Sequence, residues 1–427
     1  MIAAAATSRS SRTLDVLLWG ATGFTGKLVA ERLASAYGVG GTLRWAIGGR
    51  SRDKLEALRA ELEAIDPKAR GLPIVLGDNR DRASLAAAAR DTRVVASTVG
   101  PFTVHGRELV AACVDAATDY CDLTGEPQFV RDMIDQHHAP ARAKGARIVH
   151  CCGFDSIPSD LGTLVVQTYM HEAHGERCSE VKCLVGPFKG GASGGTIASM
   201  AQVFEEASRD PRVRRVLMDP YALDPERDEP GPDRRDQLGV RWDRDLRRWT
   251  GPFLMAGINT RMVRRTNALL GYAYGRDFRY SEAMGFQSGP KGLVTAAATS
   301  VGVAGFFAAA AIKPVRRLLQ RSVLPQPGEG PSKEKRASGF FVCSFVGSGP
   351  AHNGTPRTKV FGTVKGMSDP GYGETAKMLC ESAVCLALDG DAIAREGGVL
   401  TPAACMGMRL VERLRAAGMT FQAAEAI

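Results

Sequence analysis

Glycines at 20, 23 and 26 are the first residues of this chain whose type and spacing suggest chemistry. They close the stretch Leu14–Gly26, LDVLLWGATGFTG. An apolar run precedes them, and helical spacing (Leu28, Val29, Leu33) follows, so the stretch reads as strand, tight turn, helix. A helix begun by such a turn aims free backbone N–H groups and a partial positive charge outward. Gly20 lets the chain turn, Gly23 leaves space for a phosphate, and Gly26 lets helix and strand approach. Thr22, Phe24 and Thr25 sit between them and complete the cradle. The expected ligand is the pyrophosphate of a dinucleotide. A glycine turn with a purely structural role is the alternative.

The next such residues concern which dinucleotide. A second strand ends in Gly48-Gly49-Arg50-Ser51-Arg52. A carboxylate at that place holds a ribose 2′-hydroxyl; a guanidinium and a hydroxyl hold a 2′-phosphate. Arg50 and Ser51 therefore predict NADP(H), against a reading in which Arg50 and Arg52 are surface charges at a helix start. Asp78 either accepts from the adenine amino group or closes a solvated turn. Thr98, Gly100 and Pro101 form a further tip, expected to face the first glycine turn. Groups able to polarise or protonate a substrate fall at the same edge: Tyr120, Asp155 and Ser156, with His105 after Pro101. Asp155 equally suits a cap for a helix starting near Pro158.

What must position these residues is an alternation of strands and helices. Strands are expected at Leu14–Trp19, Leu43–Ile47, Leu72–Leu76, Arg93–Val99, Asp119–Leu123 and Arg147–Cys152, with helices between them. That pattern is an α/β fold with a doubly wound parallel sheet, whose ligands bind outside the carboxyl ends of the strands. Beyond Gly162 the pattern becomes mixed. Gly190–Thr196 is a second glycine-rich turn before a helix, read as an anion site or a plain helix start. Residues 209–249 are dense in Arg, Asp and Pro and read as an exposed, loop-rich insertion. Residues 324–335, LPQPGEGPSKEK, read as a hydrophilic loop. The expected organisation is a disordered tail at 1–12, a cofactor domain at 13–152, a mixed α/β substrate domain at 153–396, and a C-terminal helix at 397–427 packing back on the first domain.

Residues 292–312 carry no charge, and Lys313, Arg316 and Arg317 follow. The length permits a membrane span, but the segment is rich in Ala, Gly and Thr. Three readings stay open: a buried core helix, an apolar helix that lines a greasy pocket or touches a membrane surface, and a true span.

The chain has 427 residues and a formal net charge of +9. That suits an acidic partner: a phosphorylated cofactor, an acyl carrier or an anionic lipid surface. Acidic residues are interspersed with the basic ones, which argues against a dedicated nucleic-acid binder. The ten cysteines form no CxxC pair and read as small buried residues of a reducing, cytoplasmic compartment. The seven histidines lack ligand spacing, and His137–His138 reads as a solvated helix end. No metal site is expected, and the sequence leaves the oligomeric state open.

GATGFTG, GGRS, TVGPF, YCDLTGE and GFDSIPSDLG occur in that order. Together they resemble the saccharopine dehydrogenase-like oxidoreductases, and most nearly their trans-acting enoyl reductase branch. The resemblance covers almost the whole chain, and GFDSIPSDLG at 153–162 is its most specific part. It implies a Rossmann domain followed by a mixed α/β domain, with NADPH as hydride donor. It implies reduction of a carbon–carbon double bond in a long acyl or polyketide lipid precursor, for a synthase lacking its own reductase. Two other readings stand beside it: a saccharopine-type amino acid dehydrogenase, and a non-catalytic, nucleotide-binding protein of lipid or membrane surfaces.

Overall fold

The six residues of strand β1 (Leu14–Trp19) are all buried, because both faces of the sheet are covered. Val16 and Leu18 enter one core cluster; Leu14, Leu17 and Trp19 enter another on the opposite face. The computed structural model describes residues 12–190, 194–225, 231–311, 330, 332–351 and 357–426. Strands β2 (Trp45–Gly49), β3 (Ile74–Leu76), β4 (Thr92–Ser97), β5 (Asp119–Asp122) and β6 (Arg147–Val149) join β1 in the order β6-β5-β4-β1-β2-β3. Every pairing is parallel. Helices Phe24–Tyr37, Arg52–Leu62 and Thr375–Leu388 cover one face; Arg82–Arg90, Arg107–Asp115 and Pro127–Lys144 cover the other. The carboxyl ends of six strands thus share one rim, as the alternation predicts.

A second sheet follows, with β7 (Glu180–Lys189), β8 (Arg241–Asp243), β9 (Arg248–Gly251), β10 (Arg279–Gly285), β11 (Phe340–Ser348) and β12 (Lys359–Gly366). Only β7 and β10 pair in parallel within it. The chain then visits both sheets again. β13 (Gly398–Leu400) extends the parallel sheet beside β6, and β14 (Thr420–Ala424) extends the mixed sheet beside β12. Helix Pro402–Ala416, between these two strands, packs on helices Ile157–His174 and Thr375–Leu388.

Several expectations change. Residues 1–11 lie outside the described residues, but Arg12, assigned to the tail, is buried and donates to the Thr92 carbonyl at 2.7 Å. β6 stops at Val149, so Cys151 and Cys152 belong to the loop beyond it. The 209–249 segment is not all loop: it holds helix Pro211–Met218 and strands β8 and β9, and Ala222, Leu223 and Asp224 are buried. Helix Ala256–Leu269 anchors it through three buried arginines. Arg264 pairs with Asp233 at 2.9 Å and donates to the Pro220 carbonyl at 3.1 Å; Arg261 donates to the Leu217 carbonyl at 2.6 Å. Of the 324–335 loop, 333–335 begin helix Lys333–Ala337, while 324–329 and 331 lie outside the described residues. His138 is not a solvated helix end, since its Nδ1 accepts from the Val399 N–H at 3.2 Å.

The uncharged segment forms most of helix Gly289–Ala311, with residue 312 outside the described residues. It is not a buried core helix. Gly292 and Ala296 are buried, but Val294 is 67% and Val301 73% exposed. Among the described residues, no helix is long and apolar enough to cross a membrane.

Candidate active site

At the rim of the parallel sheet, Gly20 has φ +84° and its N–H donates to the Gly48 carbonyl at 2.9 Å. A Cβ on Gly20 would lie 2.4 Å from the Val99 side chain, so only glycine fits this turn. A Cβ on Gly26 would lie 2.2 Å from the Gly20 carbonyl oxygen, which accounts for the third glycine. Gly23 is different: a Cβ there meets only the Gly20 carbonyl oxygen, at 3.4 Å, and the residue is exposed. Gly23 caps helix Phe24–Tyr37 with no side-chain bond and no acidic residue in the first turn. The first intrahelical bond runs from the Lys27 N–H to the Gly23 carbonyl, so the N–H groups of Phe24, Thr25 and Gly26 are left for an anion. Thr22 and Thr25 stand half-buried beside them. The Phe24 ring turns away, meeting Tyr372 edge-on at 5.0 Å, so its place in the cradle is a backbone one.

The tips of β2, β3 and β4 flank this turn. Arg50 is exposed and has no ion-pair partner among the described residues, whereas Arg52 turns to Glu56 at 3.6 Å. Ser51 stands at the N-cap of helix Arg52–Leu62 but makes no cap bond, leaving its hydroxyl open. Asp78 accepts from the Arg80 N–H at 2.9 Å, the geometry of a turn-closing carboxylate. Thr98 donates its hydroxyl to the Gly20 carbonyl at 3.1 Å, so it braces the glycine turn. Gly100 is exposed and lies near Ser199 of helix Gly194–Arg209. Pro101 precedes the short helix Phe102–His105, whose N–H groups at Phe102 and Thr103 donate to the Glu126 carboxylate at 2.9 and 2.8 Å.

The β5 and β6 tips separate the three acid–base candidates. Tyr120 is fully buried with its phenol donating to Asp122 at 3.1 Å. The pleat sends it into the core under helix Pro127–Lys144, away from the rim where it was expected. Ser156 is likewise buried and donates to Asn259 at 3.0 Å; Asn259 in turn donates to Glu282 at 2.7 Å. Asp155 alone reaches the rim. It does not cap the following helix, which starts at Ile157 with Ser156 at its N-cap and no side-chain cap bond. Its carboxyl has no hydrogen bond or ion pair to another described residue. It lies between Gly125 and Gly153, where added Cβ atoms would fall 3.3 and 3.2 Å from its oxygens. Burial, with the nearby Asp122 charge, pushes its pKa up to about 7.

Asp122 holds the loops of this rim together. Its carboxylate accepts from the Thr124 N–H at 3.1 Å and the Cys151 N–H at 3.3 Å, and it contacts His150 Nδ1 at 2.8 Å. One residue of GFDSIPSDLG locks more distant parts: Asp160 accepts from Thr266 and from the Ala403 N–H at 2.8 Å.

Residues 16–149 match a family model described as the saccharopine dehydrogenase NADP binding domain. A protein of Mycobacterium tuberculosis named as a trans-acting enoyl reductase is 45% identical over 419 residues, which covers 96% of this chain and 97% of the relative. Trans-acting enoyl reductases of Mycobacterium bovis and Mycobacterium leprae are 41% and 40% identical, each covering 96% of this chain and 98% of the relative. This chain belongs to the trans-acting enoyl reductase family. Its fold is that of the saccharopine dehydrogenases: the L-Glu-forming enzyme of Saccharomyces cerevisiae superposes with a TM-score of 0.53 at 13% identity, covering 96% of this chain and 99% of that one.

NADP(H) is the cofactor of this enoyl reductase family member, an NADP-dependent oxidoreductase. The site fits it in two ways. The open face of Gly23 and three free N–H groups suit a pyrophosphate, and the unpaired Arg50 beside an uncapped Ser51 suits a 2′-phosphate. Sequence reading missed Asp122, Glu126 and Asn259 as the residues that hold these tips. YCDLTGE contained two of them, but only the fold shows which neighbouring segments their oxygens bind.

Proposed function

We propose that this enzyme reduces the carbon–carbon double bond of a long α,β-unsaturated acyl thioester, serving a synthase that acts separately. Asp155 carries the reading. A largely buried carboxyl with a pKa near 7 holds a proton at neutral pH and can give it up, which is what a general acid needs. When bound, NADPH supplies the hydride for the β-carbon. Asp155 delivers its proton to the α-carbon and regains one from water. Around it, the part-exposed Leu123 and Met255 offer hydrocarbon surface, which suits an acyl chain. An amino acid with several carboxylates would need cations there.

The exposed apolar side of helix Gly289–Ala311 supports a lipid end to the substrate, presented by an acyl carrier or a membrane surface and consumed in lipid biosynthesis. The test is NADPH oxidation by the purified protein with unsaturated acyl thioesters of increasing chain length. Turnover that improves with length is expected. No oxidation with any thioester, or turnover of saccharopine instead, overturns the proposal.

A further inference from the structure

Arg50 is not the only cation at the adenosine end of the rim. Arg80 lies in the turn after β3, and that turn is fixed in place. The Gly77 N–H donates to the Gly49 carbonyl at 3.1 Å, and Trp19 Nε1 donates to Asn79 at 2.8 Å. The β1, β2 and β3 tips are thereby tied side by side. Arg80 is exposed and, like Arg50, has no ion-pair partner among the described residues.

His105 completes the cluster. It ends the short helix after Pro101, its N–H donating to the Pro101 carbonyl at 3.0 Å. Its half-buried ring lies within electrostatic reach of both guanidinium groups, which together with burial hold its pKa below the ordinary value. Two carboxylates also face the ring, Asp78 and Glu126. Asp78 is engaged by the Arg80 N–H, and Glu126 is buried beneath the N–H groups of Phe102 and Thr103. Arg50 and Arg80 therefore stand at neighbouring strand tips, and the Arg82–Glu108 ion pair at 2.7 Å ties the segment after Arg80 to the helix that follows His105, while Asp78 and Glu126 offset part of the positive charge at the imidazole. Like charges so placed repel one another until an anion arrives.

We propose that Arg80 and His105 join Arg50 in holding the 2′-phosphate of NADP(H), and that the imidazole takes up a proton as the phosphate docks. The inference rests on the NADP(H) reading of the site but not on the reaction. It also removes His105 from the candidates for protonating substrate, because it serves the opposite end of the cofactor from Asp155. An added anion stabilises the imidazolium, so NADPH affinity falls as pH rises through neutrality, while NADH affinity does not.

The test is calorimetric titration of the full-length protein with NADPH and with NADH, in buffers of different ionisation enthalpy between about pH 6 and 8. The 2′-phosphate has a titrating proton of its own near pH 6, so the difference between wild type and His105→Gln is the readout. Wild type is expected to bind more protons with NADPH than His105→Gln does, and the variant should lose NADPH affinity at the acid end of the range only. Arg80→Ala should weaken NADPH by roughly tenfold and leave NADH within about twofold. Equal proton uptake in wild type and His105→Gln, or equal loss of both cofactors in Arg80→Ala, overturns the proposal. Failure of wild type to bind NADPH at all would instead sink the cofactor assignment. NADPH binding without reduction of any thioester would sink only the reaction.

Discussion

In the proposed reaction Asp155 is the proton donor, and its environment gives a signed expectation. A general acid works protonated, so kcat should fall as pH rises through about 7. Asp155→Asn keeps the shape but loses the proton, and should lower kcat by roughly a hundredfold or more and flatten that alkaline limb. An unchanged profile in a pH–rate measurement would assign the proton to water. At the other end of the cofactor, if Arg50 holds the 2′-phosphate as proposed, Arg50→Asp sets a carboxylate against it and should reverse the preference for NADPH over NADH, read from the two dissociation constants. The glycines were legible from sequence because a turn that tolerates no Cβ leaves the same mark in the chain as in the fold. Asp155 was only half legible. Ser156 is the residue at the N-cap, and which of two adjacent polar side chains faces the rim is decided by Gly125 and Gly153, from two different loops. Tyr120 misled for a related reason: its place near a strand end did not reveal which way the pleat would point it.

Among the elements, helix Gly289–Ala311 stands apart because its apolar character exceeds what the fold covers. Its buried side rests on β9, where Gly251 lies against Ser300 and the Ala296 carbonyl. Leu293, Val294 and Val301 face outward. A helix that lies on a bilayer buries such a side, and basic neighbours favour anionic lipid. Val294→Glu with Val301→Glu should abolish co-flotation with anionic vesicles and leave thermal stability close to wild type, since neither side chain supports the core. A wild type that does not co-float, or a double variant that floats as well as wild type, overturns a membrane role for this helix. The 209–249 segment shows the opposite relation. Its composition reads as solvated loop, yet its carbonyls and acids are the partners that three buried arginines require. Removing one of them, as in Arg264→Ala, leaves Asp233 without its charge partner and should cost about 3–5 kcal/mol in a denaturant melt. Local composition cannot show this, because the two halves of these bonds lie 31 to 44 residues apart in sequence.

Across the whole molecule, several carboxyls are buried with raised pKa values. Asp160, Asp224 and Glu282 are each pushed to about 7 by burial. A carboxyl that holds its proton more tightly when folded stabilises fully below its unfolded value of about 4 and loses that contribution as pH rises towards 7. Asp15, Asp245 and Asp389 are shifted the other way by their arginine and lysine partners, and their contribution is lost only in acid. Between about pH 5 and 8 the melting temperature should therefore fall, and Glu282→Gln should fall less steeply by differential scanning calorimetry. The parallel sheet was readable because strand, glycine and helix recur with regular spacing. β13 and β14 were not, since strands of three and five residues take their identity from the strand beside them.

Those two short strands bear on how the molecule is made. The segment 398–424 supplies the outer strand of each sheet, and Ala403 is the partner that Asp160 waits for. During translation β6 and β12 must keep open edges until these residues leave the ribosome, so neither half can be sealed early. Release of a chain cut before Gly398 should yield aggregates where the intact chain yields a folded enzyme.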